Sequence, residues 1–267
     1  MTGILIAFAV VAVIGLICAV LLALAAHFLS VPEDENVQQI RDCLPGANCG
    51  ACGYAGCDEY AKAVASGEAA TNLCIPGADA VAAEVAGIMG TEAMDVVEMI
   101  AHVRCNGTCT ATDTFADYQG IRSCAAMSMI YGGPNVCKYG CLGCGDCAAV
   151  CPNDAICVID GVARINAKKC IGCGLCAKNC PKGIIEIIPQ ISTVAVACSN
   201  LEKGAVARKK CKNACIGCKK CEKTCENGAI TVENNLARID YSKCNGCAAC
   251  AEACPTGCLK KVNFIKK

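Results

Sequence analysis

The sequence predicts an α+β protein: an N-terminal transmembrane helix, a small α-rich cysteine domain, and two successive modules in which short β-hairpins lie between dense cysteine runs. Three observations predict it. Residues 3–29 contain no Asp, Glu, Lys or Arg. The chain holds 30 cysteines in 267 residues, crowded into four runs of the form Cys-x2-Cys-x2-Cys-x3-Cys. From residue 124 onward the cysteines recur at an offset of 74 residues without a gap, as expected of a duplicated unit.

Taken in order, Gly3 to Leu29 is almost wholly Ala, Val, Ile, Leu and Phe. As a helix it would be about 40 Å long, more than a hydrocarbon core of about 30 Å requires. A cleaved signal peptide is the competing reading, helped by Ala23-Leu24-Ala25. The missing basic n-region and the length of the apolar run favour a retained anchor over residues 1–30. The acidic Glu33, Asp34 and Glu35 carry little weight for orientation. Cys18 and His27 read as packing residues.

Residues 31–100 form the small domain. Leu44-Pro-Gly-Ala-Asn-Cys49-Gly-Ala-Cys52-Gly-Tyr-Ala-Gly-Cys57 is followed by Cys74. Four cysteines so spaced, threaded with glycines that let the backbone approach sulfur, can wrap one iron–sulfur cluster, with zinc as the competitor. Asp58 to Ser66 and Asp79 to Met89 read as helices stopped by Gly67 and Gly90; Cys43 reads as a free thiol. Thr91 to Val103 stays ambiguous between helix and strand. Residues 101–135 read as a cysteine-containing linker: loop from Cys105 to Tyr118, then a short helix within Ser123 to Ile130 before Gly132-Gly133-Pro134.

The two modules span residues 136–190 and 191–267. Their runs are Cys141, Cys144, Cys147, Cys151; Cys170, Cys173, Cys176, Cys180; Cys215, Cys218, Cys221, Cys225; and Cys244, Cys247, Cys250, Cys254. Proline follows each run except the third, where Glu226 stands. This is the spacing of bacterial-type ferredoxins, in which three cysteines grip one [4Fe–4S] cluster and the fourth reaches the neighbouring one. A disulfide scaffold would not crowd cysteines at two-residue gaps, and zinc sites pair two knuckles across a longer spacer. Cross-ligation groups Cys141, Cys144, Cys147 with Cys180, and Cys170, Cys173, Cys176 with Cys151. In the second module it groups Cys215, Cys218, Cys221 with Cys254, and Cys244, Cys247, Cys250 with Cys225.

The repeat sets Cys124 on Cys198, Cys137 on Cys211 and Ala163-Arg164-Ile165 on Ala237-Arg238-Ile239. Each copy carries a hairpin: Ala155–Ile159 and Val162–Ile165 about Asp160-Gly161, then Ala229–Val232 and Leu236–Ile239 about Glu-Asn-Asn. Cys157 falls on Thr231 and Cys258 on Ile184, which makes both bystanders. Twenty cysteines are thereby placed, enough for five clusters. Of the remaining Cys105, Cys109, Cys124, Cys137, Cys198 and Cys211, four are expected to hold a sixth between the modules, with Cys109 outside the set.

Charge divides the chain. Residues 1–135 carry 4 Lys and Arg against 14 Asp and Glu, and residues 136–267 carry 20 against 10. The lysines either offset buried cluster charge or form a docking face for an acidic redox partner. Without tryptophan or aromatic–basic interleaving, nucleic-acid binding is not indicated. No Gly-x-Gly-x-x-Gly strand–helix fingerprint or catalytic acid–base constellation is present, so no nicotinamide or flavin site is assigned.

With its apolar N-terminal helix, its Leu44–Cys57 motif, Cys137-Lys-Tyr-Gly-Cys141-Leu-Gly and its ferredoxin repeats, the chain resembles the B subunit of the Rnf complex. The resemblance spans essentially the whole chain. It implies a relay protein, facing soluble ferredoxin, within a membrane complex that passes electrons towards NAD and couples them to Na⁺ or H⁺ translocation. The other membrane and peripheral subunits would be its partners, and the soluble part would lie on the cytoplasmic side of the cell membrane. Two features depart from the commoner family pattern. Members often lack a cysteine at the position of Cys144, which leaves Cys137 and Cys144 as rival ligands. The second module belongs to long forms only. Competing readings are an electron relay in a hydrogenase or corrinoid/CO-type complex, and an iron–sulfur redox sensor at the membrane.

Overall fold

The computed structural model describes residues 2–28 and 35–264. Helix α1 (Thr2–Phe28) is continuous over 27 residues. Its large side chains from Val10 to Leu24 are exposed, among them Leu16 at 69% and Leu22 at 71%. Among the described residues, no helix is long and apolar enough to cross a membrane. The side chain of His27 lies outside the described residues.

Helices α2 (Glu35–Cys43), α3 (Cys57–Ala65) and α4 (Ala78–Met89) build the small domain. They close over Ile40, Leu44, Tyr60, Val64 and Val85. Tyr60 is 1% exposed, yet its hydroxyl is satisfied: it donates to the Ala70 carbonyl at 2.8 Å and accepts from the Leu73 N–H at 3.2 Å. The Asn48 side chain accepts from the Cys57 N–H at 2.8 Å and so starts α3 at a cysteine. Gly90, left-handed at φ 66, ends α4.

The ambiguous stretch after α4 resolves as strand β1 (Met99–Val103), and the linker holds only the short helix α5 (Cys124–Met129). The first module continues through α6 (Asp146–Ala149), β2 (Ile156–Ile159), β3 (Val162–Ile165), α7 (Leu175–Asn179) and β4 (Ile185–Pro189). The second runs through β5 (Val194–Val196), α8 (Gly204–Lys210), α9 (Lys220–Thr224), β6 (Ile230–Glu233), β7 (Leu236–Ile239), α10 (Ala249–Glu252) and β8 (Leu259–Lys261).

The strands pair in antiparallel twos: β2 with β3, β6 with β7, β1 with β4 and β5 with β8. Both hairpins turn on two residues with positive φ, Asp160 (50°) and Gly161 (76°), then Asn234 (49°) and Asn235 (65°). These are type I′ turns, whose twist suits paired strands; the second needs only Asn-Asn, because Glu233 stays in its strand. Beneath the hairpins lie Val162 and Leu236, each 0% exposed.

The long-range pairs re-align the two copies. Val103 lies opposite Ile185, and Val196 lies opposite Leu259, 74 residues further on. Val103 and Val196 are therefore equivalent, and with them Cys105 and Cys198, each two residues past its strand. The register matching Cys124 to Cys198 does not describe the fold. Thirty-two positions separate Cys105 from Cys137 but thirteen separate Cys198 from Cys211, so the first copy carries nineteen additional residues, which include α5.

Candidate metal centres

The cysteines stand around cavities. One, about 390 Å³, is lined by Cys124, Cys141, Cys147 and Cys180. A second, about 380 Å³, lies between the modules and is lined by Cys105, Cys137, Cys198 and Cys211, with Cys141 at its edge. A third, about 340 Å³, is lined by Cys151, Cys170, Cys173 and Cys176. A fourth, about 290 Å³, is lined by Cys215, Cys218, Cys221 and Cys254. In the first module the fourth cysteine of each run thus faces the cavity of the other run. Cys254 does the same in the second.

Two further sets are recognised by mutual proximity. Burial pushes the Cys74 thiol up to about 11, and Cys57, Cys49 and Cys52 lie close enough to add to the rise. Burial likewise pushes Cys250 up to about 11, with Cys244, Cys225 and Cys247 adding to it.

Cys144, an expected ligand, is not among the residues lining that cavity. Its sulfur lies 3.2 Å from Met127 Sδ and within hydrogen-bond reach of the Cys124 sulfur, behind the four cysteines that line the cavity. The cause is local. The Asp146 carboxylate accepts from the N–H of Cys124 at 2.9 Å and of Ala125 at 3.1 Å, while Ser123 accepts from Ala126 at 3.0 Å. These contacts pin the start of α5 to the cysteine loop. The second module has Lys220 in place of Asp146 and no α5, and there Cys218 lines the cavity. Cys137, the rival for the place of Cys144, faces the cavity between the modules instead.

The cavities suit clusters in their donors as well as their size. Cys105 Sγ accepts from the N–H of Gly107 and of Cys141, both at 3.3 Å. Cys198 Sγ accepts from the N–H of Asn200 and of Cys215, both at 3.4 Å. Cys151 Sγ accepts from Ala155 at 3.3 Å. Such donors favour sulfur that carries negative charge. Without a metal, burial dominates: it pushes Cys105 and Cys147 to about 11 and Cys176 to about 12. Loading must then release these thiol protons. Among the described residues no three His, Cys, Asp or Glu converge tightly enough for a single ion. A zinc site would need four ligands at about 2.3 Å from one centre. Cavities ringed by cysteines that do not close on one point suit a larger inorganic core.

Outside these sets, Cys18, Cys109 and Cys157 are exposed and Cys43 is half-buried. Cys258 is different: it is 0% exposed. Its thiol donates to Cys198 and Cys215, holding the first down at about 7 and the second at about 6 against the effect of burial. The repeat makes it a bystander because Ile184 stands at its equivalent position, and nothing in the linear spacing signals its contact with two cavity cysteines.

Residues 44–76 match the family model described as putative Fe-S cluster. Residues 140–184 and 214–258 each match the 4Fe-4S dicluster domain. The chain is 45% identical over 245 residues to the B subunit of the Na(+)-translocating ferredoxin:NAD(+) oxidoreductase complex of Acetobacterium woodii, covering 91% of this chain and 74% of that one. It is 46% identical over 237 residues to the B subunit of the proton-translocating ferredoxin:NAD(+) oxidoreductase complex of Clostridium ljungdahlii, covering 88% and 84%. To the B subunit of the ion-translocating oxidoreductase complex of Methanosarcina acetivorans it is 36% identical over 237 residues, covering 88% and 90%.

Proposed function

The chain belongs to the family of B subunits of the ion-translocating ferredoxin:NAD(+) oxidoreductase complexes, the Rnf complexes, and from that premise we propose how its residues carry electrons. It is an iron–sulfur electron-transfer subunit of a membrane-associated oxidoreductase complex. A bound [4Fe–4S] cluster supplies a one-electron carrier whose potential follows the hydrogen bonds, charge and exposure around its sulfurs. What this chain contributes is the ligands, their spacing and their surroundings.

Six sets of four cysteines are proposed. In spatial order they are Cys49, Cys52, Cys57, Cys74; then Cys151, Cys170, Cys173, Cys176; then Cys124, Cys141, Cys147, Cys180. Next come Cys105, Cys137, Cys198, Cys211; then Cys215, Cys218, Cys221, Cys254; and last Cys225, Cys244, Cys247, Cys250. The observation that carries this reading is continuity, because each set adjoins the next. Cys49 lies near enough to Cys173 to raise its thiol, and Lys178 Nζ donates to the Cys49 carbonyl at 2.6 Å. Cys147 acts likewise on Cys176. The N–H groups of Cys141 and Cys215 reach the sulfurs of Cys105 and Cys198. The domain boundaries move with this reading: residues 99–190 form the first module, because β1 pairs with β4.

The two ends differ in access. The first module's outer set is covered by the small domain, whereas Cys218 and Cys247 are exposed in the second. Lysines 219, 220, 223 and 243 stand beside those runs. An acidic redox protein such as ferredoxin would dock there, and α1, apolar and exposed along its described length, would anchor the other end in the membrane. The soluble part belongs on the cytoplasmic side, where thiols stay reduced.

Two measurements test this. Anaerobically purified chain should hold about 24 irons for six clusters; clearly fewer removes the sixth set. Inverted membrane vesicles lacking the chain should lose ferredoxin-dependent NAD reduction, and full retention would overturn the assignment.

A further inference from the structure

The cavity between the modules is built by equivalent residues: Cys105 with Cys198, and Cys137 with Cys211. Its surroundings are not equivalent. Two residues past Cys198 stands Asn200, 0% exposed; two residues past Cys105 stands Gly107. The Asn200 Oδ1 accepts from the Glu202 N–H at 2.7 Å, which fixes the amide. Its Nδ2 then lies 3.7 Å from Cys137 Sγ and 3.4 Å from Glu202 Oε2, a carboxylate also paired with Lys210. A Cβ placed on Gly107 would lie 3.6 Å from Cys211 Sγ and 3.6 Å from Cys105 Sγ. The same direction of approach therefore exists from the first module, towards the equivalent sulfur, but carries no donor.

We propose that Asn200 sets the potential of the junction cluster by donating its amide N–H to the Cys137 thiolate, and that glycine at 107 leaves the opposite half without that donor. This rests on the reading that Cys105, Cys137, Cys198 and Cys211 hold a cluster. The physical argument is short. Reduction adds negative charge that spreads onto the ligand sulfurs, and a buried N–H donor stabilises the more negative state. The donor thus raises the midpoint potential relative to a site without it. Asn200 is a positioning residue for sulfur charge, not a ligand.

The test uses full-length chain, anaerobically purified, with iron analysis and a redox titration followed by electron paramagnetic resonance. The paired variant Cys137→Ser/Cys211→Ser identifies the junction signal as the one it removes; undiminished iron and an unchanged spectrum there would overturn the cluster reading itself. Asn200→Asp keeps the acceptor for the Glu202 N–H and removes the donor but adds a charge, so the uncharged Asn200→Leu is titrated beside it and both must shift. The junction midpoint should move negative while the other midpoints stay in place. A midpoint that stays put with the signal intact overturns the role of Asn200 and leaves the cluster standing. Should Asn200→Asp lose the junction signal, Gly107→Asn decides. It should move the midpoint positive, and a wild-type value there overturns the proposal.

Discussion

The two modules share their hairpins, cysteine spacing and edge strands, yet different cysteines line their inner cavities. In the second, Cys218 takes its place within the run. In the first, nineteen additional residues deliver Cys124 on α5, Asp146 ties that helix to the loop, and Cys144 is left against Met127. The outer ends differ too, one covered by the small domain and the other exposing Cys218 and Cys247. A spacing motif therefore fixes which residues are near a cavity, while tertiary contacts decide which sulfur faces it.

Serine substitutions test that contrast most severely. Cys124→Ser and Cys218→Ser should each remove about four irons per chain, whereas Cys144→Ser should remove none; iron analysis of anaerobically purified chain reads all three. Equal losses from Cys124→Ser and Cys144→Ser would mean that the first module ligates as the second does.

Core truncation comes next. Leu236→Ala empties a fully buried site and should cost about 3 kcal/mol. Val162→Ala, at the equivalent place with fewer atoms removed, should cost less. Heating under argon while following visible absorption should show an earlier loss in the leucine variant.

The close approach of loop to hairpin should separate the modules by a smaller margin. A Cβ on Gly143 would meet the Gly161 carbonyl oxygen at 2.7 Å, while one on Gly217 would meet Asn235 Cα at 3.1 Å. Both glycines have positive φ, 71° and 64°. Gly143→Ala should cost about 2 kcal/mol and Gly217→Ala about 1 kcal/mol, read by the same thermal assay.

The smallest effect expected is a pH dependence at the contact between modules. His102, in β1, faces the Val196 carbonyl at 3.2 Å, so its Nε2 must carry the proton. Burial lowers its pKa. The unfolded chain then takes up a proton more readily than the folded one, and stability falls as pH drops below the ordinary histidine value of about 6.5. His102→Gln should flatten that dependence of the thermal midpoint between pH 7.5 and 5.5.

Much of this was legible in the residues. The four runs, both hairpins, α3 and α4 follow from local pattern, because each is set by residues within a few positions. Other features were not legible. The pairing of β1 with β4 joins segments more than eighty residues apart, and five residues without alternation give no register. The insertion between Cys105 and Cys137 kept the 74-residue offset intact from Cys124 onward, so a chance coincidence hid the true partner of Cys198. The place of Cys124 on the cavity depends on Asp146, whose contact with the start of α5 appears only in the folded chain. Asn200 and Cys258 gave no signal, since neither belongs to a motif and both act through space.

The cavity between the modules also has a consequence for how the chain matures. Four of the small domain's cysteines, Cys49, Cys52, Cys57 and Cys74, lie within 26 consecutive residues and leave the ribosome almost together. The junction cysteines are spread from Cys105 to Cys211. Bringing them together closes a longer loop, at a greater entropic cost. A chain that stops at the end of the first module holds only half of that set. The four cysteines around that cavity are therefore together only in a chain whose two halves are both folded and docked.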